Sequence, residues 1–399
     1  MLNGEPATLQ ASPAADQESN HMERTNSPAS VIDPLARWRS GVTITPVSTV
    51  PNRHTIHNYY RTSPESPDGR WILYFASVTR DGHLGSLCLT DRESGEEKVL
   101  VENIVTEDAH RAACQQWVAD GRFVVFHDFR EDRWVVVTVD LDTGEEQVIA
   151  VDRQVGWVQP NASIVSLYGP HWEPDGFHDL ELFDLESGKS WIPVTAEATR
   201  EAFPTEIAEE FGDHAISICF PDISPDLTRV FYKLSAPKGG DFRSAAASHR
   251  QQLICFDLEQ DRFLFLDRDW GHPNWHPDSR TILNVPNVLI DSDTGERQQL
   301  TDLPVLPGAH PSFDTSGEYF VSDGRLDNLG APGEWGIVVN HVASQQSQLI
   351  HGFDDSQGST SWRRAHPHPV FTADGQRIYY NISETPWVTL HVASVGTIE

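Results

Sequence analysis

Positive charge is what this chain most conspicuously lacks. Its 399 residues carry 29 Lys and Arg against 59 Asp and Glu, a formal net charge of −30. Phosphate neutralisation requires a basic footprint, so binding to nucleic acid through bulk charge is excluded, and the same field repels anionic membranes at long range. An acidic ligand has to be caught by a local cluster of His and Arg. Cysteine is equally sparse: Cys88, Cys114, Cys219 and Cys255 are scattered, with no CxxC and no short spacing to His that reads as a zinc site. They read as free, buried strand thiols. Long hydrophobic runs are missing too. Apolar runs such as Val135–Val137 and Phe263–Leu266 are strand-sized, far short of the roughly 20 residues of a membrane helix. No basic segment followed by an apolar one opens the chain; residues 1–33 are rich in Ala, Ser, Pro, Asn and Glu, which predicts a disordered tail on a soluble, cytoplasmic protein.

What the chain does contain is a recurring phrase, a turn followed by an apolar strand. It reads Ser66-Pro67-Asp68-Gly69-Arg70 then WILYF, Val118-Ala119-Asp120-Gly121-Arg122 then FVVF, Ser224-Pro225-Asp226 then VFYKL, and His276-Pro277-Asp278-Ser279-Arg280 then TILNV. Asp314-Thr315-Ser316-Gly317-Glu318 precedes YFVS, and Thr372-Ala373-Asp374-Gly375-Gln376 precedes RIYYN. Gln159-Pro160-Asn161 then SIVSLYG is a degenerate seventh copy. Pro presets φ, Asp bonds its own backbone and Gly tolerates positive φ, so the phrase is hairpin grammar. The mean spacing of about 51 residues fits a four-stranded blade.

A second phrase follows most of the first ones: a strand ending in Asp, a turn, another strand, as in VVTVDLDTGEEQVIA (136–150) and VLIDSDTGERQQL (288–300). These read as the third and fourth strands of successive blades. The expected fold is an all-β, seven-bladed propeller over residues 34–399 with four-stranded antiparallel blades. Three strands remain for the last blade, near 369–371, 377–381 and 388–393, so Val42–Thr45 is the strand that closes the ring and removes an exposed edge. Residues 195–213 lack alternation and carry helix formers, which predicts a short helical excursion. The Asp-Gly turns themselves are read as propeller maintenance.

The histidines do not all fit that reading. His57, His272, His310 and the pair His366 and His368 precede turns at the place where an innermost strand faces the channel, so residues far apart in sequence converge in space. In the HPH pair, positions i and i+2 share one face of an extended strand. With His310, the pair offers three neutral nitrogens to a divalent cation or three hydrogen bonds to an anion. Tyr59, Tyr60 and Trp275 flank these positions, as sugar platforms or as core.

Several of these phrases, taken together, resemble a known family. RAHPHPVFTADGQRIYYN is similar to the C-terminal signature of the oligogalacturonate lyases, and IHNYYR, GHPNWHPD and GAHPSFDTSGEYFVSDGR resemble three further landmarks in the same order. The resemblance runs over roughly residues 40–399. It implies a seven-bladed propeller, related to TolB-type propellers, that cleaves short oligogalacturonides by β-elimination in pectin degradation. It further implies a divalent cation, Mn2+, held by His310, His366 and His368, with His272 as catalytic base and Arg250 as catalytic arginine. One departure matters: where the family has a Gln ligand, this chain has Arg363. A guanidinium cannot ligate a cation, so Arg363 either lowers metal affinity or pairs with the substrate carboxylate, alongside His57 and Tyr59 as substrate-binding residues. The expected partner is an acidic oligosaccharide. Two alternatives stay open at this stage: a lyase for another acidic glycan, and a non-catalytic TolB-like propeller that binds a protein or peptide.

Overall fold

The turn grammar is realised by side chains that bond their own turns. Asp68, Asp226, Asp278 and Asp374 each accept the backbone N–H two residues on, at 2.8–3.0 Å, so the Asp of each phrase closes the hairpin that follows it. The outer turns repeat the device, with Asp91, Asp140, Asp257 and Asp291 each accepting two successive N–H groups. Each chain reversal is therefore fixed locally, and what remains is to pair the strands between them.

The computed structural model describes residues 33–396 except 108–109, 161, 240, 245 and 360–365; the reading of residues 1–32 as a tail lies outside the described residues. Among the described residues the strands form seven four-stranded antiparallel sheets, six of them in sequence order from the inside out. They are the blades of a seven-bladed β-propeller. The seventh is composite: Val42–Pro46 pairs antiparallel with Thr389–Val395, from Val42 opposite Val395 to Pro46 opposite His391. The N-terminal strand thus closes the ring as the strand count requires. The helical excursion is present as Ala196–Ala202 and Pro204–Phe211, the first capped by the Thr195 side chain. No described helix is long and apolar enough to cross a membrane.

The core lies between blades. Leu73 and Phe75 of the first blade pack with Val124 and Phe126 of the second, and Val321 and Ile337 of the sixth with Ile378 and Tyr380 of the seventh, all fully buried or nearly so. Burying each such side chain contributes roughly 1.5–3 kcal/mol. The sheets are therefore stabilised by their neighbours, and the innermost strands are left to line a channel.

Candidate active site in the channel

Blade 1 departs from the others where its innermost strand ends. His54–Ile56 pairs with the following strand as far as Phe75, and the chain then leaves the sheet, returning only at Glu65, which bridges to Ile72. The intervening residues cross the channel. Tyr60 donates its hydroxyl to the Pro273 carbonyl at 3.0 Å, and Arg61 donates to the same carbonyl at 2.8 Å while forming a buried ion pair with Asp222. Tyr59 lies 4.4 Å from Trp157 and 4.5 Å from His368, ring to ring. The segment separates two mouths. On the side of the Asp-Gly turns is a cavity of about 460 Å³ rich in apolar groups. At the opposite end is a larger cavity of about 1160 Å³.

The larger cavity is lined by His110, Lys233, Arg250, Trp270, His272 and His366, among others. In a protein of net charge −30 this is a local concentration of cationic and imidazole groups, the arrangement that an acidic ligand needs. His310 and His368 lie beneath it, 1 % and 0 % exposed. The rings form one cluster: His272 to His310 4.3 Å, His310 to His368 4.5 Å, His310 to His366 5.2 Å, and His110 to His368 and His366 4.7 and 4.8 Å. The ligand atoms of His110, His366 and His368 all fall within 4.8 Å of one another.

Polar side chains from second strands hold the backbone of these histidines. Asn284 accepts the His272 N–H at 2.7 Å and donates to the Trp270 carbonyl at 3.0 Å. Gly271, between them, has φ +64° and a Cβ there would fall 2.1 Å from the Asn284 oxygen, so only glycine admits the contact that fixes His272. In blade 6, buried Asp323 accepts the backbone N–H of both His310 (2.7 Å) and His368 (3.0 Å), and the His310 imidazole through Nδ1 (2.9 Å). Two backbone N–H groups already donate to this carboxyl; with its proton on Nδ1 the His310 imidazole donates to it as well. The Nε2 lone pair is then available, the usual arrangement of a metal-ligating histidine backed by a carboxylate.

Burial sets the protonation states. It pushes His310 down to about 3, with help from the nearby Arg61 charge, and takes His272 and His368 well below the ordinary imidazole range, His310 adding to the effect in both. The same burial raises the Asp323 carboxyl to about 7. Near neutral pH His272, His310 and His368 are uncharged, the form required both of a metal ligand and of a proton-accepting base.

The expected residues are distributed as follows. His272, His366, Arg250 and Tyr59 line the larger cavity, and His310 and His368 lie directly under it in contact with them. His57 is fully buried and does not itself line the cavity, but it lies close enough to His368 to disfavour a charge there; the first blade leaves its sheet at Ile56, so its pre-turn position is not equivalent to that of the other blades. Arg363 lies outside the described residues. Trp275 faces the other mouth, its indole donating to the Asp222 carbonyl at 3.0 Å, and acts as a tether there. Sequence reasoning missed His110, Lys233 and Asp323. For Asp323 a signal existed, an acid inside the strand YFVSDGR.

No protein-family model matches the chain. Among solved structures, an oligogalacturonate lyase in complex with manganese is 16 % identical, with a TM-score of 0.60 over 90 % of this chain and 94 % of that one. An oligogalacturonate lyase from Vibrio parahaemolyticus, also 16 % identical, gives 0.62 over 90 % and 95 %. The β-propeller domain of Swd1 from Myceliophteria thermophila gives 0.50 at 11 % identity. At these identities the likeness is one of fold. Among curated proteins, the large ribosomal subunit protein bL31 of Synechococcus sp. (strain CC9311) is 30 % identical over 76 residues, 19 % of this chain and 83 % of that protein. Its counterpart from Prochlorococcus marinus (strain MIT 9303) is 34 % identical over 58 residues, so that the chain spans 59 % of that protein's length. A 76-residue stretch is about one and a half blades of a seven-bladed ring, and a net charge of −30 opposes the electrostatics of ribosomal RNA binding; the likeness is local.

Proposed function

We propose that the protein is a lyase of the oligogalacturonate lyase type, cleaving short uronate oligosaccharides by β-elimination in the larger cavity. The observation that carries this reading is the convergence of His272, His310, His366 and His368 from three blades under a cavity that also presents Arg250. In β-elimination from a uronate a base removes the proton at C5 and the glycosidic oxygen leaves from C4. The C5 proton is only weakly acidic while the adjacent carboxylate keeps its full charge, so that charge must be offset where the enolate develops.

His272 is the candidate base. It lines the cavity, it is neutral, and Asn284 fixes its backbone. A neutral imidazole takes the proton directly, with no prior deprotonation. Arg250, on the wall formed by Ser248–Asp257, is positioned to pair with a carboxylate, and a guanidinium suits that task through its two-pronged geometry. Tyr59, on the channel-crossing segment rather than that wall, is nearly fully buried against Trp157 and His368 and borders the cavity from below.

A divalent cation is supported by part of the donor set: the ligand atoms of His366 and His368 lie within 4.8 Å of each other and of His110, His310 stands beside them at 5.2 and 4.5 Å ring to ring, and both ring nitrogens of His368 are buried without a hydrogen-bond partner among the described residues. A bound divalent ion, Mn2+ in the lyase whose fold this chain shares, would supply the positive charge that offsets the uronate carboxylate. The substrate, the metal, the pectin-degrading context and a cytoplasmic location all belong to this proposal. Its test is paired: metal content by elemental analysis of the purified protein, and ultraviolet absorbance of unsaturated product with a panel of uronate oligomers. Galacturonate oligomers should be the preferred substrate; turnover of another uronate alone would move the assignment to a different acidic glycan.

A further inference from the structure

His110 belongs to none of the repeats. It lies in the connection between the first and second blades, in the sequence Glu107 to Cys114, yet its ring reaches the HPH pair contributed by the seventh blade. Nitrogens bound to one ion at about 2.1 Å in neighbouring tetrahedral or octahedral positions lie roughly 3–3.5 Å apart, so the 4.8 Å group formed by His110, His366 and His368 closes around a cation with side-chain shifts of no more than about 2 Å. The family resemblance supplies three histidines and a Gln, and at the position of that Gln this chain has an arginine. A nitrogen ligand from another blade fills the deficit.

The connection is built to hold His110 still. Thr106 is bonded to the first blade through its backbone N–H to His83 (2.9 Å) and its hydroxyl to Gly82 (3.0 Å). Glu107 and Arg111, 2 % exposed each, form an i,i+4 ion pair that brackets His110. Gln154 reaches Glu107 at 3.5 Å, and the Arg111 guanidinium lies 4.8 Å from the Trp157 ring and 5.2 Å from Phe220. A buried ion pair is costly to desolvate and contributes little net stability, so its presence on both sides of one histidine is better explained by placement than by stability.

We infer that His110 is a ligand of the divalent-cation site, standing in for the Gln that Arg363 replaces, and that Glu107 and Arg111 are positioning residues that aim it. The inference rests on the metal reading of the same cavity and adds to it a ligand that the family resemblance does not contain. It also moves the site toward the first and second blades, on the side where the connection enters.

The test is Mn2+ binding by calorimetry on the full chain, together with the visible spectrum of bound Co2+, which reports the ligand set independently of turnover. The wild type should bind one ion per chain. His110→Ala should weaken Mn2+ at least tenfold and change the Co2+ spectrum, His110→Gln should recover part of the affinity, and Arg111→Lys should weaken binding with the thermal midpoint of His110→Ala and wild type alike. In the unmutated protein, diethylpyrocarbonate should modify His110 without metal and be blocked by Mn2+, read by peptide mass spectrometry. If the wild type binds Mn2+ and His110→Ala binds it equally well, the inference is overturned and the proposed function stands. If the wild type binds no Mn2+, the metal reading falls and this inference with it.

Discussion

Asp323 accepts the backbone N–H of both His310 and His368 and bonds the His310 imidazole, so one buried carboxyl group couples the sixth blade's histidine to the seventh's. Its removal has two separable effects. Asp323→Ala leaves buried donors without acceptors, at about 1–3 kcal/mol each, and should lower the unfolding free energy by at least about 3 kcal/mol. Asp323→Asn keeps the shape but loses the charge that holds the His310 tautomer, and should weaken Mn2+ by roughly 10–100-fold, as changes behind a metal ligand do. Denaturant titration and calorimetry separate the two; unchanged Mn2+ affinity in Asp323→Asn would remove His310 from the ligand set.

Acid should destabilise the fold through buried histidines outside the ring cluster. Burial lowers His127 to about 3 and His171 to about 4, against about 6.5 in the unfolded chain. Between those values the unfolded state binds the extra proton, so the stability is fully present above pH 6.5 and is lost as pH falls toward 4, at about 1.4 kcal/mol per pH unit for each group. His127, whose ring nitrogens have no hydrogen-bond partner among the described residues, is the cleaner probe. Unfolding measured at pH 7.5, 6.5 and 5.5 should show the stability lost across that window reduced by about 1.4 kcal/mol in total in His127→Leu; an unaltered loss would mean that His127 is not held neutral.

Arg363 distinguishes two roles by sign. If it only occupies the place of a ligand, Arg363→Gln should raise both Mn2+ affinity and turnover. If it pairs with the substrate carboxylate, the same change should raise KM for uronate oligomers unless added Mn2+ compensates. Calorimetry and steady-state kinetics on the one variant decide between them.

The ring was legible because its signals are local. A turn Asp bonds the N–H two residues on whatever the rest of the chain does, so the phrase at Asp68, Asp226, Asp278 and Asp374 announces a hairpin each time. The site was legible where it rides on that grammar: His272, His310 and His368 each stand two residues before an innermost strand, Asn274–Trp275, Ser312–Phe313 and Val370–Phe371. His57 follows a different geometry, because the first blade leaves its sheet at Ile56 and rejoins it at Glu65, so its ring lies behind His368 rather than on the cavity wall. His110 was silent for another reason. It sits in a connection with no counterpart in other blades, and only the closed ring brings it to the HPH pair.

The central claim is that this cavity eliminates across C4–C5 of a uronate with His272 as the base. The most direct measurement is unsaturated-product absorbance from galacturonate oligomers with wild type and His272→Ala side by side, at equal thermal midpoint and with Mn2+ added. The account predicts product with the wild type and a loss of at least about 10²-fold in kcat with little change in KM in the variant, the size expected when a positioned base is removed. Equal turnover by both proteins would dismiss His272, and no product from the wild type on any uronate oligomer would make the propeller a binding protein.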